Sequence, residues 1–247
     1  MEKSAWRGSR SPLLQAAIFN ALLFAGGAST LMAQNPEIQQ RVADLKESMA
    51  KNKQQLAQYT WREQVAISLK GEQKKQEVFQ VRMGADGKPQ KTPISEPDAS
   101  APQGGGRNGR VKQHVVEKKK EEFQDYADRM KSLAEQYIPP DKDLMQQAQE
   151  KGNISISPVA GSASQVQLAI HDYLKSKDSL TLVFDNVQKK LVSMQVASYL
   201  DDPKDAVNLT VNLTSLPDGV SHVDGTILEG VSKQLKVAIQ NTNYQHL

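Results

Sequence analysis

The sequence predicts an α+β fold, a curved antiparallel β-sheet (a half-barrel) with helices packed on its concave face. Three observations predict it. Amphipathic stretches with helical spacing occur near residues 36–56 and again between 111 and 150. Stretches in which every second residue is apolar begin at Tyr59 and return from Asn153 onward. Gly, Pro, Asn and Asp fall between those runs at hairpin distances. A twisted antiparallel sheet of seven to nine strands tends to curl, and three amphipathic helices need somewhere to bury their apolar faces, so the helices should fill the hollow.

The N-terminus comes first. Lys3, Arg7 and Arg10 precede the apolar run "LLQAAIFNALLFAGGAST", and "LMA" leads into polar sequence at Gln34. This is the layout of a secretory signal peptide over residues 1–33, cleaved after Ala33. Gln15 and Asn20 interrupt the run, which falls short of the ~20 apolar residues that cross a bilayer. A periplasmic or secreted protein with no stable membrane span after cleavage is expected. The chain carries a formal charge of +3. Three bases and one acid (Glu2) leave with the leader, so about +1 remains and no nucleic-acid partner is indicated. There is no cysteine, which excludes disulfides and thiol chemistry.

Residues 34–247 read as one domain. "NPEIQQRVADLKESMAKNKQQLAQY" opens with a capping Asn35 and Pro36 at the first helical position. Its Ile38, Val42, Leu45, Met49 and Leu56 form one apolar face, suited to lying across a sheet or against a partner helix. Next comes "YTWREQVAISLK", with Tyr59, Trp61, Val65, Ile67 and Leu69 on one side. Then "GEQKKQEVFQVRMGADG" alternates through Phe79, Val81 and Met83, so two or three antiparallel strands are expected with turns at Gly71 and 84–87. A flexible loop follows at about 95–113, where the sequence is rich in Gly, Pro and Ser. A helix carrying Phe123, Tyr126, Ala127, Met130, Leu133, Ala134 and Tyr137 then runs to Pro139–Pro140. A shorter one spans Asp141 to about Glu150. Beyond Asn153, the runs "QVQLAIHDYL", "SLTLVFD", "LVSMQVASYL", "AVNLTVNLTSL" and "KQLKVAIQN" predict five or six strands with one wet face.

Residues 179–219, "SLTLVFDNVQKKLVSMQVASYLDDPKDAVNLTVNLTSLPDG", resemble the C-terminal half of periplasmic lipoprotein carriers and receptors of the LolA/LolB type. The shared pattern is a strand, a basic turn beginning with Asp, a second strand, an Asp-rich turn, and a third strand closing on "LPDG". The order of elements over residues 36–245 is also similar. The resemblance implies a half-open barrel lidded by helices, with an apolar cavity that takes acyl chains.

No catalytic residues are expected. Nucleophile elbows, zinc-protease motifs and phosphate loops are absent, and His171 and Asp172, as strand neighbours, point to opposite faces. Asp201, Asp202 and Asp205 read as a solvated turn rather than a metal site, so no metal or cofactor is expected. "NLT" at Asn208 and Asn212 fits a glycosylation acceptor, but two-residue alternation explains the same residues as a wet strand face, so glycosylation is secondary unless the source is eukaryotic. Glu63 interrupts the apolar stripe of the first strand, and the rim of the sheet is the expected place for its charge.

The expected function is that of an exported, non-enzymatic envelope binding protein holding a lipid acyl chain or lipoprotein anchor. Candidate ligand-lining residues are Trp61, Glu63, Val65, Ile67, Leu69, Phe79, Val81, Leu182, Phe184, Val196, Leu209, Val211 and Val237. The alternative is an envelope scaffold with a filled core, no small-molecule ligand and a protein partner. Core or cavity is the question the apolar stripe leaves open.

Overall fold

A computed structural model describes residues 51–94, 109–138 and 140–247, without the side chains of residues 109–120 and Lys142. The leader expected over 1–33, most of the first amphipathic helix and the loop over 95–108 lie outside the described residues. Ten strands form one antiparallel sheet in the order β3-β2-β1-β10-β9-β8-β7-β6-β5-β4. The sheet is curved and open, with β3 and β4 as its two edges.

The order is a meander broken once. After a helical end over residues 51–56, β1 (Tyr59–Leu69), β2 (Glu72–Met83) and β3 (Pro89–Pro93) step outward to one edge. The chain then crosses to the far edge through α1 (Gly109–Glu135) and α2 (Lys142–Glu150). It returns strand by strand through β4 (Ile154–Pro158), β5 (Gln165–His171), β6 (Ser179–Asp185), β7 (Lys190–Tyr199), β8 (Ala206–Ser215), β9 (Ser221–Gly230) and β10 (Leu235–His246). β10 finally pairs with β1. Strands spaced ~4.8 Å apart make such a sheet roughly 43 Å wide. At ~1.5 Å per residue the 27 residues of α1 span roughly 40 Å, a length suited to that crossing.

Local chemistry sets the turns. β1 and β2 are joined by Lys70 and Gly71, both with positive φ (54° and 80°), the pair of left-handed residues that a two-residue hairpin twisted like its strands requires. β3 begins and ends in proline, which blunts that edge against further pairing. Asp141 caps α2 by accepting from the backbone N–H groups of Asp143 and Leu144.

One face of the sheet is dry. Ile67, Val237, Leu228, Leu209, Val196, Leu180, Ile170 and Ile154 form an unbroken cross-strand row from β1 to β4. A parallel row runs through Val65, Ile239, Thr226, Val211, Met194, Leu182 and Leu168 and ends in Ile156, which is exposed on the β4 edge. Tyr126, Met130, Leu133 and Ala134 of α1, with Tyr137 and Ile138 beyond it, share one core cluster with the β5–β9 part of this face. A Cβ on Gly230 would come within 2.5 Å of the Tyr126 ring and 2.6 Å of Met130 Sδ. The missing side chain at the end of β9 is thus what lets the helix sit down. Asp178 ties the same region together: its carboxylate accepts from the backbone N–H groups of Tyr173, Leu174 and Lys175 and from the Tyr137 hydroxyl.

Three expectations are corrected. The sheet has ten strands rather than seven to nine, because β4 is too short to stand out with only two apolar residues, and β9 escapes the alternation pattern. Helix α1 begins at Gly109, so residues 109–113 are helical rather than part of the loop. The run "QVQLAIHDYL" is a strand only as far as His171, because Asp172 turns the chain with φ 49° and takes Tyr173 and Leu174 out of β5.

Candidate functional site

The thirteen candidate residues fall into three environments. Leu182, Val196, Leu209 and Val211 are buried in the core cluster that α1 shares. Trp61, Glu63 and Val81 are buried as well, but outside that cluster, near the start of β1. Val65, Ile67, Leu69, Phe79, Phe184 and Val237 are half-buried. All of these but Phe184 lie on β1, β2 and β10, where Ile239 joins them. That end of the dry face is bounded on β2 by the Lys75–Glu77 ion pair, 2.9 Å long, whose residues pair with Ile67 and Val65.

Glu63 is the correction of most consequence. It was expected at the rim, yet it is fully enclosed. β1 does not fray there, because β2 and β10 flank it on both sides, with Glu63 paired to Phe79 and to Asn241. A buried carboxylate needs a counter-charge, and Lys91 supplies it from β3, two strands away. The ammonium also lies 6.0 Å above the Phe79 ring.

An aromatic wall stands beside this pair. Trp61 stacks on Tyr244 with ring centroids 5.4 Å apart, and Tyr244 packs against His222 at 4.0 Å. The Tyr244 hydroxyl and the Asn241 amide both donate to the Val223 carbonyl. Burial, and then the charge of Glu63, push the Tyr244 phenol well above its ordinary range. Burial holds the His222 imidazole below its usual value, against the opposing pull of the Val223 carbonyl. Both groups are therefore neutral near pH 7. Asn52 closes this end of the face by bonding both the N–H and the C=O of Ser221.

Sequence reasoning named Trp61 and Glu63 but missed Lys91, Asn241, His222 and Tyr244. Strict alternation from Val237 and Ile239 would turn Tyr244 to the wet face. Instead Asn243 adopts φ 54°, and Thr60 pairs with Gln245 while Arg62 pairs with Thr242. Two residues of β10 thus oppose Trp61 alone. This β-bulge carries Tyr244 onto the dry face. Asn is among the few residues that tolerate this backbone, so "NTNY" was the available signal.

The remaining candidates have structural partners. Asp205 accepts from Tyr126 and Ser232, Asp201 pairs with Arg129, and Asp202 caps its own turn at the Lys204 N–H. Among the described residues no group of three or more His, Cys, Asp or Glu is placed to hold a metal ion. No helix among them is long and apolar enough to cross a membrane. No family model, curated protein or solved structure matches this chain.

Proposed function

We propose that the protein is an exported, non-enzymatic binding protein of the cell envelope that holds an apolar ligand, an acyl chain or lipoprotein anchor, on the β1–β2–β10 end of the dry face. The helices then occupy the concave side and fill only part of it. One observation carries this reading: the apolar face is continuous across the sheet, and besides its β4 edge, where Ile156 is exposed, its widest half-buried stretch is Val65, Ile67, Phe79, Val237 and Ile239 on β1, β2 and β10. A face of this kind costs stability while it is wet and gains when a chain of methylenes covers it.

The alternative is an envelope scaffold whose sheet is filled by its own helices and whose partner is another protein. It is favoured by the other end of the same face, where Leu180 and Ile170 are fully buried with the side chains of α1. Native mass spectrometry of protein purified from its own envelope separates the two. A co-purifying lipid mass that is lost on mild activation supports the binding protein. Lipid-free protein that also binds no fluorescent fatty ligand supports the scaffold.

A further inference from the structure

Two buried polar atoms at the β1–β2–β10 end of the sheet are without a hydrogen-bond partner among the described residues. Lys91 engages Glu63 Oε1, which leaves Glu63 Oε2 and Trp61 Nε1 as the two unmatched atoms among the described residues of β1. Both side chains are more than nine-tenths buried. They stand two residues apart on the dry face of β1, and both meet Tyr244, Trp61 by stacking and Glu63 through its charge. Glu63 is followed on the same face by the half-buried Val65 and paired directly with Phe79.

The chemistry of the two orphans is complementary. A carboxylate oxygen only accepts and an indole N–H only donates, so one group that donates and accepts together would satisfy both. A hydroxyl or a carboxamide does this. Lys91 already balances Glu63, so the pair carries no net charge to attract an anion. A ligand carboxylate placed at Oε2 would meet like charge out of water and could stay only at the cost of taking up a proton.

Resting on the function proposed above, we propose that Trp61 and Glu63 form a headgroup subsite selecting apolar ligands that carry a neutral hydroxyl or amide over free fatty acids. The ligand's chain lies along Val65, Ile67, Val237 and Ile239, and its polar end bridges Glu63 Oε2 and Trp61 Nε1.

The test uses the full chain carrying Trp6→Phe, which leaves Trp61 as its one tryptophan. Its fluorescence is titrated with oleyl alcohol, oleamide, methyl oleate and oleate at pH 8. The alcohol and the amide are expected to bind about tenfold or more tighter than oleate, with the ester, which only accepts, in between. Glu63→Gln keeps the shape but frees the charge of Lys91, so oleate should overtake the alcohol. Trp61→Phe, followed by displacement of a fluorescent acyl probe, should weaken the alcohol about five- to tenfold and leave oleate unchanged. The comparison among ligands needs no change within the subsite, so it stands even if a Glu63 or Trp61 variant fails to fold.

Equal affinity for all four ligands would overturn the subsite and leave the apolar-ligand reading intact. The subsite is overturned in the same way if Glu63→Gln leaves the order of affinities unchanged, as an internal water at Oε2 would predict. Failure of every ligand to bind would overturn both.

Discussion

Along a single row of the dry face, Leu228, Leu209, Val196, Leu180 and Ile170 are buried with α1, while Val237 and Ile67, the next two members, are half-buried. Strand geometry and residue type are the same at both ends, so the covering differs and not the sheet. At the α1 end large side chains meet small ones, as at Gly230 under Tyr126 and Met130. The Asp178 carboxylate there is saturated by four donors, although Glu135 Oε1 and Thr226 Oγ1 have no hydrogen-bond partner among the described residues. At the β1–β10 end the apolar surface is half-covered, and two buried polar atoms that stand together on β1 are unpaired among the described residues.

Substitutions can break this comparison from its strongest side first. Asp178→Ala strips the acceptor from three backbone N–H groups and from Tyr137, and should cost about 3–5 kcal/mol in urea unfolding. Leu180→Ala, in the filled half, should cost about 2–5 kcal/mol. Gly230→Ala should lower stability by about 1–3 kcal/mol, since its new methyl group meets the Tyr126 ring beneath a docked helix. Val65→Ala, in the half-covered part, should cost less than about 1 kcal/mol, because a half-buried side chain loses less contact and leaves no closed cavity. Similar losses at Leu180 and Val65 would mean that the two ends are packed alike.

The smallest effect is a pH dependence centred on His222. Its pKa is held down in the folded protein, so the unfolded chain binds the extra proton more readily. The stability it contributes is full above its ordinary value of about 6.5 and is lost as pH falls through the lowered folded value. Thermal denaturation should show the melting temperature falling on acidification below about pH 6.5, and His222→Asn should flatten that part of the curve. An unchanged slope in the variant would remove His222 as the cause.

The sequence reveals much of the frame and little of the site. Alternation locates β1, β2, β5–β8 and β10, because a sheet with one wet face writes its period into the chain. It hides β9, where Thr226 and Gly230 occupy dry positions that the pattern reserves for large apolar residues. Gly230 is there for the sake of a helix about a hundred residues away in sequence, which no local window can see. The partner of Glu63 is hidden for the same reason: Lys91 sits in a short, proline-bounded edge strand and reaches its carboxylate across β2. Tyr244 is displaced by a bulge that a single Asn permits.

The central claim, that one end of the dry face is core and the other holds a ligand, is tested most directly by methyl NMR. Protein labelled at Ile, Leu and Val methyl groups is titrated with oleyl alcohol. Shifts concentrated at Val65, Ile67, Val237 and Ile239, with Leu180, Leu209 and Val196 unmoved, are the predicted result. Shifts spread through the α1 cluster, or none at either end, would contradict it.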